Sequence, residues 1–379
     1  MDKKKIVIAG HICLDITPKF ESGGALSDVF TPGRLTIVGA ADIHTGGAVA
    51  NTGLAVKKLA EDNLETVLCG KVGDDELGGM IMSIVRSFGA EKGMIVSHDC
   101  ATSYTVALAV PGSDRMFLHC PGANDTFTAD DIPDGTLEGA ALTHFGYPTL
   151  MRRMYLDGGA ETVRVLKKIK DAGSAVSLDL ANVNPESEAG GKDWAAILEA
   201  ALPYVDVFTP SAEELCFMLD KPLLAKWRER AGGGDVTRVL DIENDIKPLA
   251  ERCLEMGAGI VLLKCGKPGM YLLTAGKDRI SAISKRAGLD PDVWAGVSIF
   301  EQSYTPSRIR SGTGAGDTSI AALLVSMLEG CAPDECMRLA AGTGCSCLEE
   351  YDSLSGLRSF DQLREKIKAG WKKSGEGDL

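Results

Sequence analysis

SGTGAGDTSIAALL, residues 311–324, sets three small residues, Gly314, Ala315 and Gly316, directly before Asp317. An apolar pattern at helical spacing follows through Ile320, Leu323, Leu324 and Met327. The spacing predicts a carboxylate at a helix start. Gly and Ala at such a place let backbone N–H groups point unobstructed into a small concavity, and the positive end of the helix dipole adds to them. A phosphate fits there with Asp317 beside it, an arrangement suited to phosphoryl transfer, in which the protein mainly positions reactants and removes a proton from the attacking hydroxyl. The same residues are equally consistent with a plain helix cap. The rest of the chain has to decide.

Working outward, short apolar runs alternate with helical patterns from about Lys5 onward, the sign of βα units and a mostly parallel sheet flanked by helices. The clearest strands are expected at 6–9, 67–70, 175–180, 205–208 and 260–264, and helices at 49–61, 76–88, 159–172, 194–201, 244–256, 315–329 and 333–349. Two segments, approximately 13–44 and 102–118, hold β-branched residues and turn signals without a good helix, and are read as strands of a small lid outside the main sheet. Residues 220–244 and 276–310 read as surface excursions, and 372–379 as a frayed end. The whole chain, 1–379, is taken as one domain with no internal repeat.

The formal charge of −13 and the lack of a dense Lys/Arg run exclude a nucleic-acid footprint or an anionic membrane surface, so the expected partner is a small molecule. Nowhere do eighteen apolar residues run together, and the N-terminus lacks a leader pattern, which points to a cytoplasmic protein. Eleven cysteines, an odd number scattered through apolar stretches, read as reduced buried thiols. Cys345 and Cys347 have no second pair or nearby His, and the five histidines show no ligand spacing, so no structural metal is assigned.

In TGGAVANTGLAV, Gly46 and Gly47 precede a helix start and Asn51 lies in its first turns, where an amide offers both donor and acceptor to a hydroxyl. Alone, such a glycine pair is more often a simple turn. Asp15 follows the first strand, at the edge where an α/β sheet presents its ligands, and its two oxygens suit vicinal hydroxyls. The acids of GKVGDDELG, 70–78, read as helix caps.

Together these pieces resemble the ribokinase-like, or PfkB, family of carbohydrate and nucleoside kinases, over essentially the whole chain. Four landmarks stand in the family's order: Asp15, the GGxxxN at Gly46–Asn51, the run near Val72, and GAGD at Gly314–Asp317. The resemblance implies an ATP-dependent kinase phosphorylating a monosaccharide or related polyol. It makes Asp317 the base and the N–H groups of Gly314, Ala315 and Gly316 the anion hole for the γ-phosphate. It implicates Asp15, Gly46, Gly47, Asn51 and Asn124 in sugar binding, Lys264, Gly266, Gly269 and Thr313 beside ATP, and Glu214 in organising Mg²⁺. Lid strands in the family often pair across a homodimer while other members are monomers, so the resemblance leaves the oligomeric state open.

Departures from the family pattern are informative. Ser311 and Gly312 stand where the family has Asp and Thr, which leaves a monovalent-cation requirement open. Ser211 replaces the asparagine of NxxE, Ala48 stands where ribose-specific relatives carry Lys, and of a DxNxR motif only Asp179 survives. Two other readings remain: a nucleoside kinase, with Phe145 and Tyr147 stacking on a base, and a sugar-sensing protein without catalysis.

Overall fold

The computed structural model describes residues 3–20, 29–112 and 116–374. Its main sheet has eight strands in the order β14-β13-β12-β11-β10-β9-β1-β4. These are β1 (Lys4–Gly10), β4 (Leu64–Cys69), β9 (Ala140–Gly146), β10 (Ala175–Asp179), β11 (Val207–Phe208), β12 (Ile260–Lys264), β13 (Gly269–Thr274) and β14 (Ser298–Gln302). From β4 to β12 every pairing is parallel, whereas β13 and β14 close one edge antiparallel.

Both faces of the parallel part are covered, and β1 and β12 carry unbroken apolar runs for that reason. Ile6 and Ile8 of β1 enter one core, together with the helices α1 (Ala48–Ala60), α8 (Ala315–Leu328) and α9 (Pro333–Cys347). Val7 and Ala9 enter the opposite core, with α3 (Ala160–Asp171), α4 (Trp194–Ala201), α5 (Ala212–Leu219) and α7 (Lys247–Glu255). Every residue of α8 from Asp317 to Leu328 is buried, because α1 and α9 enclose it. The eleven cysteines are all free thiols, eight buried and three partly so.

The segments read as lid strands supply a second sheet of four strands, ordered β3-β2-β7-β8. It consists of β2 (Cys13–Pro18), β3 (Ala41–Gly46), β7 (Tyr104–Leu108) and β8 (Met116–Cys120), while part of the first segment, 21–28, lies outside the described residues. A short pair, β5 (Lys71–Gly73) and β6 (Ile95–Ser97), connects to α2 (Glu76–Ser87). Asp75 caps that helix, accepting from Gly78 N–H at 2.8 Å, so the acid of GKVGDDELG is a cap.

Three expectations need correction. Residues 220–244 contain a helix, α6 (Lys221–Ala231), which Asp220 caps and whose Leu224 and Trp227 are buried. With only two buried positions its apolar periodicity was too thin to read. Residues 276–310 contain β14, half-exposed at the sheet edge and therefore poor in apolar residues. The end is docked as far as Ser374: Lys372 O accepts from Thr305 N–H, Ser374 N–H donates to Ser303 O, and Trp371 stacks on Tyr304 at 4.5 Å. The remainder of the expected frayed end, 375–379, lies outside the described residues. No described helix is long and apolar enough to cross a membrane.

Candidate active site

The parallel strands bring their carboxyl ends to one edge, and β1 sits where the chain order reverses, with β4 on one side and β9 on the other. Open α/β sheets bind ligands outside such a switch point. Asp317 arrives there because α8 begins at it. Gly314 takes the left-handed N-cap position, φ 78°, and a Cβ there would come within 2.5 Å of the Ser353 Cβ. In the first turn the N–H groups of Ala315, Gly316 and Asp317 precede the point at which intrahelical partners begin.

Asp317 is 4% exposed and held at three points. Tyr147 O–H donates to Oδ1 at 2.7 Å, Thr52 O–H to the same oxygen at 3.4 Å, and Asn51 Nδ2 to Oδ2 at 3.1 Å. Burial raises the carboxyl above its ordinary value, opposed by Lys264 and then by these donors. Tyr147 is pushed well above its usual value by burial and by the Asp317 charge, so it stays a donor and does not compete as a base. It occupies a left-handed backbone position, φ 66°, just past the end of β9.

Lys264 ends β12 and points at the same place. Its Nζ donates to Asp179 Oδ1 at 2.8 Å, and a Cβ on Gly316 would lie 3.4 Å from its Cδ and 3.6 Å from its Nζ. Burial pushes Asp179 up to about 8, against the pull of Lys264. Burial alone would lower Lys264, but Asp179, Glu214 and Asp317 hold it above its ordinary value. The direction that decides the chemistry is that of Lys264: its ammonium stays charged against the anion loop, facing three acids.

A cavity of about 330 Å3 opens between these groups, lined among others by Glu214, Lys264, Gly266, Gly314, Gly316 and Asp317. Two larger clefts, about 630 and 590 Å3, lie over α3 and beside α6 and carry no comparable set of groups. Glu214 forms a capping box with Ser211: Oε2 accepts from Ser211 N–H at 2.9 Å, while Ser211 Oγ accepts from Glu214 N–H at 3.3 Å. One carboxylate oxygen is thereby anchored and the side chain still lines the cavity. Among the described residues no group of three acids, histidines or cysteines could hold a metal by itself. Mg²⁺ does not need such a cage, since it commonly rests on one or two carboxylates plus phosphate and water.

Other expected site residues fall differently. Asp15 lies on β2, an inner strand of the small sheet, and a Cβ on Gly46 would overlap its carboxylate. Gly47, φ 82°, keeps α1 against His11, whose Nδ1 a Cβ would approach to 2.5 Å. Asn51 is not free for a hydroxyl: besides Asp317 it meets Ser353, whose Oγ donates to Oδ1 at 3.2 Å. Its amide holds the carboxylate in place.

Asn124, expected as a sugar contact, turns its side chain to the backbone of the fold. It is fully buried, and it clamps the Ile12 backbone, accepting at 3.1 Å and donating at 2.8 Å. Gly269 does not line the cavity; β14 passes so close that a Cβ would overlap the Glu301 carbonyl. Thr313 precedes the anion loop, exposed, with its N–H on Ser311 Oγ at 3.1 Å. Phe145 packs in the core against Phe127 and cannot stack on a base, which removes half of the aromatic support for a nucleoside reading. The residues that the sequence did not assign are Tyr147 as a partner of Asp317, Thr52, Ser353 and Asp179. Thr52, adjacent to Asn51, carried a local signal, and Asp179 stood out as the remnant of a DxNxR motif without a role assigned to it.

A model of the pfkB family carbohydrate kinases matches residues 3–358, and the chain belongs to that family. It is a carbohydrate kinase. A protein of Archaeoglobus fulgidus described as an uncharacterized sugar kinase is 24% identical over 304 residues, 80% of this chain and 99% of that one. In three dimensions it is similar to the ribokinase of Arabidopsis thaliana, solved with ribose and ATP, at a TM-score of 0.70 and 19% identity over 97% of this chain and 99% of that one. It is also similar to a fructokinase of Xylella fastidiosa, solved with ATP, at 0.68 and 16% over 97% and 99%. The expected α/β, ribokinase-like fold is the observed one.

Proposed function

We propose that the protein transfers the γ-phosphoryl group of ATP to a hydroxyl, a primary one, of a monosaccharide or related polyol, with Asp317 as base. The observation that carries this is the buried Asp317 carboxylate at the start of α8, oriented by Tyr147, Asn51 and Thr52 beside the Lys264 ammonium. With its donors in place, the carboxylate needs no rearrangement to accept the proton of a hydroxyl set against it. The first-turn N–H groups of α8 and Lys264 stabilise charge on the group in flight. The triphosphate occupies the cavity lined by Gly266, Gly314 and Gly316. Glu214 is the residue that would hold Mg²⁺, which when bound neutralises phosphate charge.

The four-stranded sheet serves as the lid of this single kinase domain, shutting water out so that ATP is not hydrolysed. Its outer strands and the segment between β2 and β3 expose Leu35, Ile37, Ile43, Phe117 and Leu118, two of them more than 80%. Apolar side chains along open sheet edges favour pairing with a second copy. The wild-type protein should sediment as a dimer at micromolar concentration, and Phe117→Asp with Leu118→Asp as a monomer. A wild-type monomer at that concentration would remove the dimer.

The function is tested by ADP release over a panel of pentoses, hexoses, polyols and nucleosides. Turnover with at least one sugar or polyol, above the ATPase background, is expected. Turnover with nucleosides alone would replace this reading with a nucleoside kinase, and ligand-induced thermal stabilisation without any turnover would make the protein a sensor.

A further inference from the structure

Residues 371–374 cross the sheet edge at the end of β14, where the chain leaves for the anion loop. Between β14 and α8, residues 303–314 form neither helix nor strand beyond one isolated bridge, so their course is set by what they are bonded to. The bridge joins Tyr304 to Lys373, antiparallel. Around it Ser374 N–H donates to Ser303 O at 2.8 Å, Thr305 N–H to Lys372 O at 2.9 Å, Trp371 Nε1 to Thr305 O at 2.8 Å and Lys373 Nζ to Gln302 O at 2.9 Å. Lys373 also pairs with Glu301, and Gln302 donates to the carbonyl of Ser374. The Tyr304 and Trp371 rings stack at 4.5 Å, and each carries an ammonium. Lys373 Nζ lies 3.4 Å from the Tyr304 centroid, and Lys366 Nζ, on α10 (Phe360–Lys368), 3.5 Å from that of Trp371. All four residues of this strap are therefore tied down.

The segment under the strap reaches the nucleotide side of the site in two directions. Ser303 N–H donates to Pro268 O at 3.2 Å and Ser303 Oγ to Gly266 O at 3.4 Å, so the same residue holds the turn between β12 and β13. Gly266 lines the 330 Å3 cavity. In the other direction the segment runs from Thr305 to Thr313 and Gly314. Its far half is fastened at the end of α9, where Ser307 N–H donates to Glu349 Oε1 at 2.9 Å and Arg310 N–H to Leu348 O at 2.8 Å. Its near half rests on the strap and on Cys345, whose Sγ donates to Tyr304 O at 3.3 Å.

We propose that the strap, Trp371 to Ser374, positions the nucleotide side of the site, with Trp371 and Lys373 as positioning residues for ATP. The inference rests on the reading that the triphosphate occupies the cavity lined by Gly266, Gly314 and Gly316, and it extends that reading to residues outside the cavity. Backbone groups that cradle a phosphate act only when held in place, and a displacement of about 1 Å can cost as much as 10²-fold. Loosening the strap frees Ser303 and Thr305, and with them the Gly266 turn and the approach to the anion loop. Asp317 is held from elsewhere, by Tyr147 past the end of β9 and by Asn51 and Thr52 on α1, so the acceptor side does not depend on the strap.

The experiment measures MgADP affinity by calorimetry, which needs neither acceptor nor turnover, and KM for ATP and for acceptor by ADP release, in wild type, Trp371→Ala, Trp371→Phe and Lys373→Ala. Expected are a MgADP affinity weakened about 10-fold and a KM for ATP raised to match in both alanine variants, with the acceptor KM nearly unchanged. Trp371→Phe keeps the stack and gives up only the bond to Thr305, so it should restore most of the affinity. The Lys373 side chain is 23% exposed, and its truncation decides the matter even where Trp371→Ala does not fold. Asp206→Ala, which breaks a buried ion network between β10 and β11, controls for a general loss of stability and should bind MgADP as wild type does. Unchanged MgADP affinity in the folded alanine variants, KM values for ATP and acceptor rising in parallel, or an equal weakening in Asp206→Ala would each overturn the inference while leaving the kinase standing. No binding of MgADP by wild type would overturn both.

Discussion

Asp317→Asn should lower kcat by about 10²-fold or more, with acceptor and ATP binding largely kept, because the amide cannot accept the hydroxyl proton. The substitution preserves shape, and Asn51 and Lys264 stay where they are, so little else changes in the site. The wild-type pH profile offers an independent check. A base works ionised, and burial raises the folded-state pKa of Asp317 above its ordinary 3.8. Activity is thus present above the raised value and lost as pH falls through it, which sets the acid limb of kcat higher than an exposed aspartate would. The limb should be missing from the residual activity of the Asn variant. Turnover close to wild type in that variant would refute the assignment of the base.

The largest expected loss of stability lies elsewhere, at Asp206. This carboxylate, fully buried between β10 and β11, accepts from Lys170 Nζ at 2.7 and 2.8 Å, from Arg279 Nη1 at 2.9 Å and from Val176 N–H at 2.9 Å. Arg279 also donates to the carbonyls of Val205 and Gly257, tying the ends of β11 and α7 to the same point. Removing one member of such a buried network leaves the others uncompensated, at a cost of about 3–5 kcal/mol. Lys170 and Arg279 are each about a quarter exposed, so water recovers part of that loss. Asp206→Ala should therefore lose about 3 kcal/mol in urea unfolding, near the bottom of that range, with kcat of the folded protein unchanged. A loss below about 1 kcal/mol would show that the network is no more than a set of surface pairs.

The parallel strands were legible because burial on two faces demands unbroken apolar runs, as in Ile6–Ala9 and Ile260–Lys264. β9 was less so. Its Thr143 and His144 look polar in sequence, yet both are buried through hydroxyl partners, Thr143 with Ser174 at 2.9 Å and His144 with Ser177 at 2.8 Å. Partners of this kind belong to the next strand and its approach, and no local pattern announces them. The edge strand β14 and the helix α6 escaped for the opposite reason, since a half-exposed element needs few apolar residues to hold it.

At the site, Asp317 and its small-residue loop could be found from sequence because they are a local device, a helix start, while Glu214 and the turn at Lys264 came from the family resemblance. What the sequence by itself determined is thus the α/β class and the family, and it singled out the carboxylate proposed as base. What only the tertiary structure decided is who surrounds that carboxylate. Tyr147 is 170 residues away along the chain and Thr52 is 265, and Asn51 reaches it across 266. Asn124, expected beside the substrate, braces the backbone at Ile12, and His11 faces a strand of the small sheet it could not be matched to in advance. Hydrogen bonds and desolvation act through space over a few ångströms, and only the packing of the two sheets sets which side chains come that near.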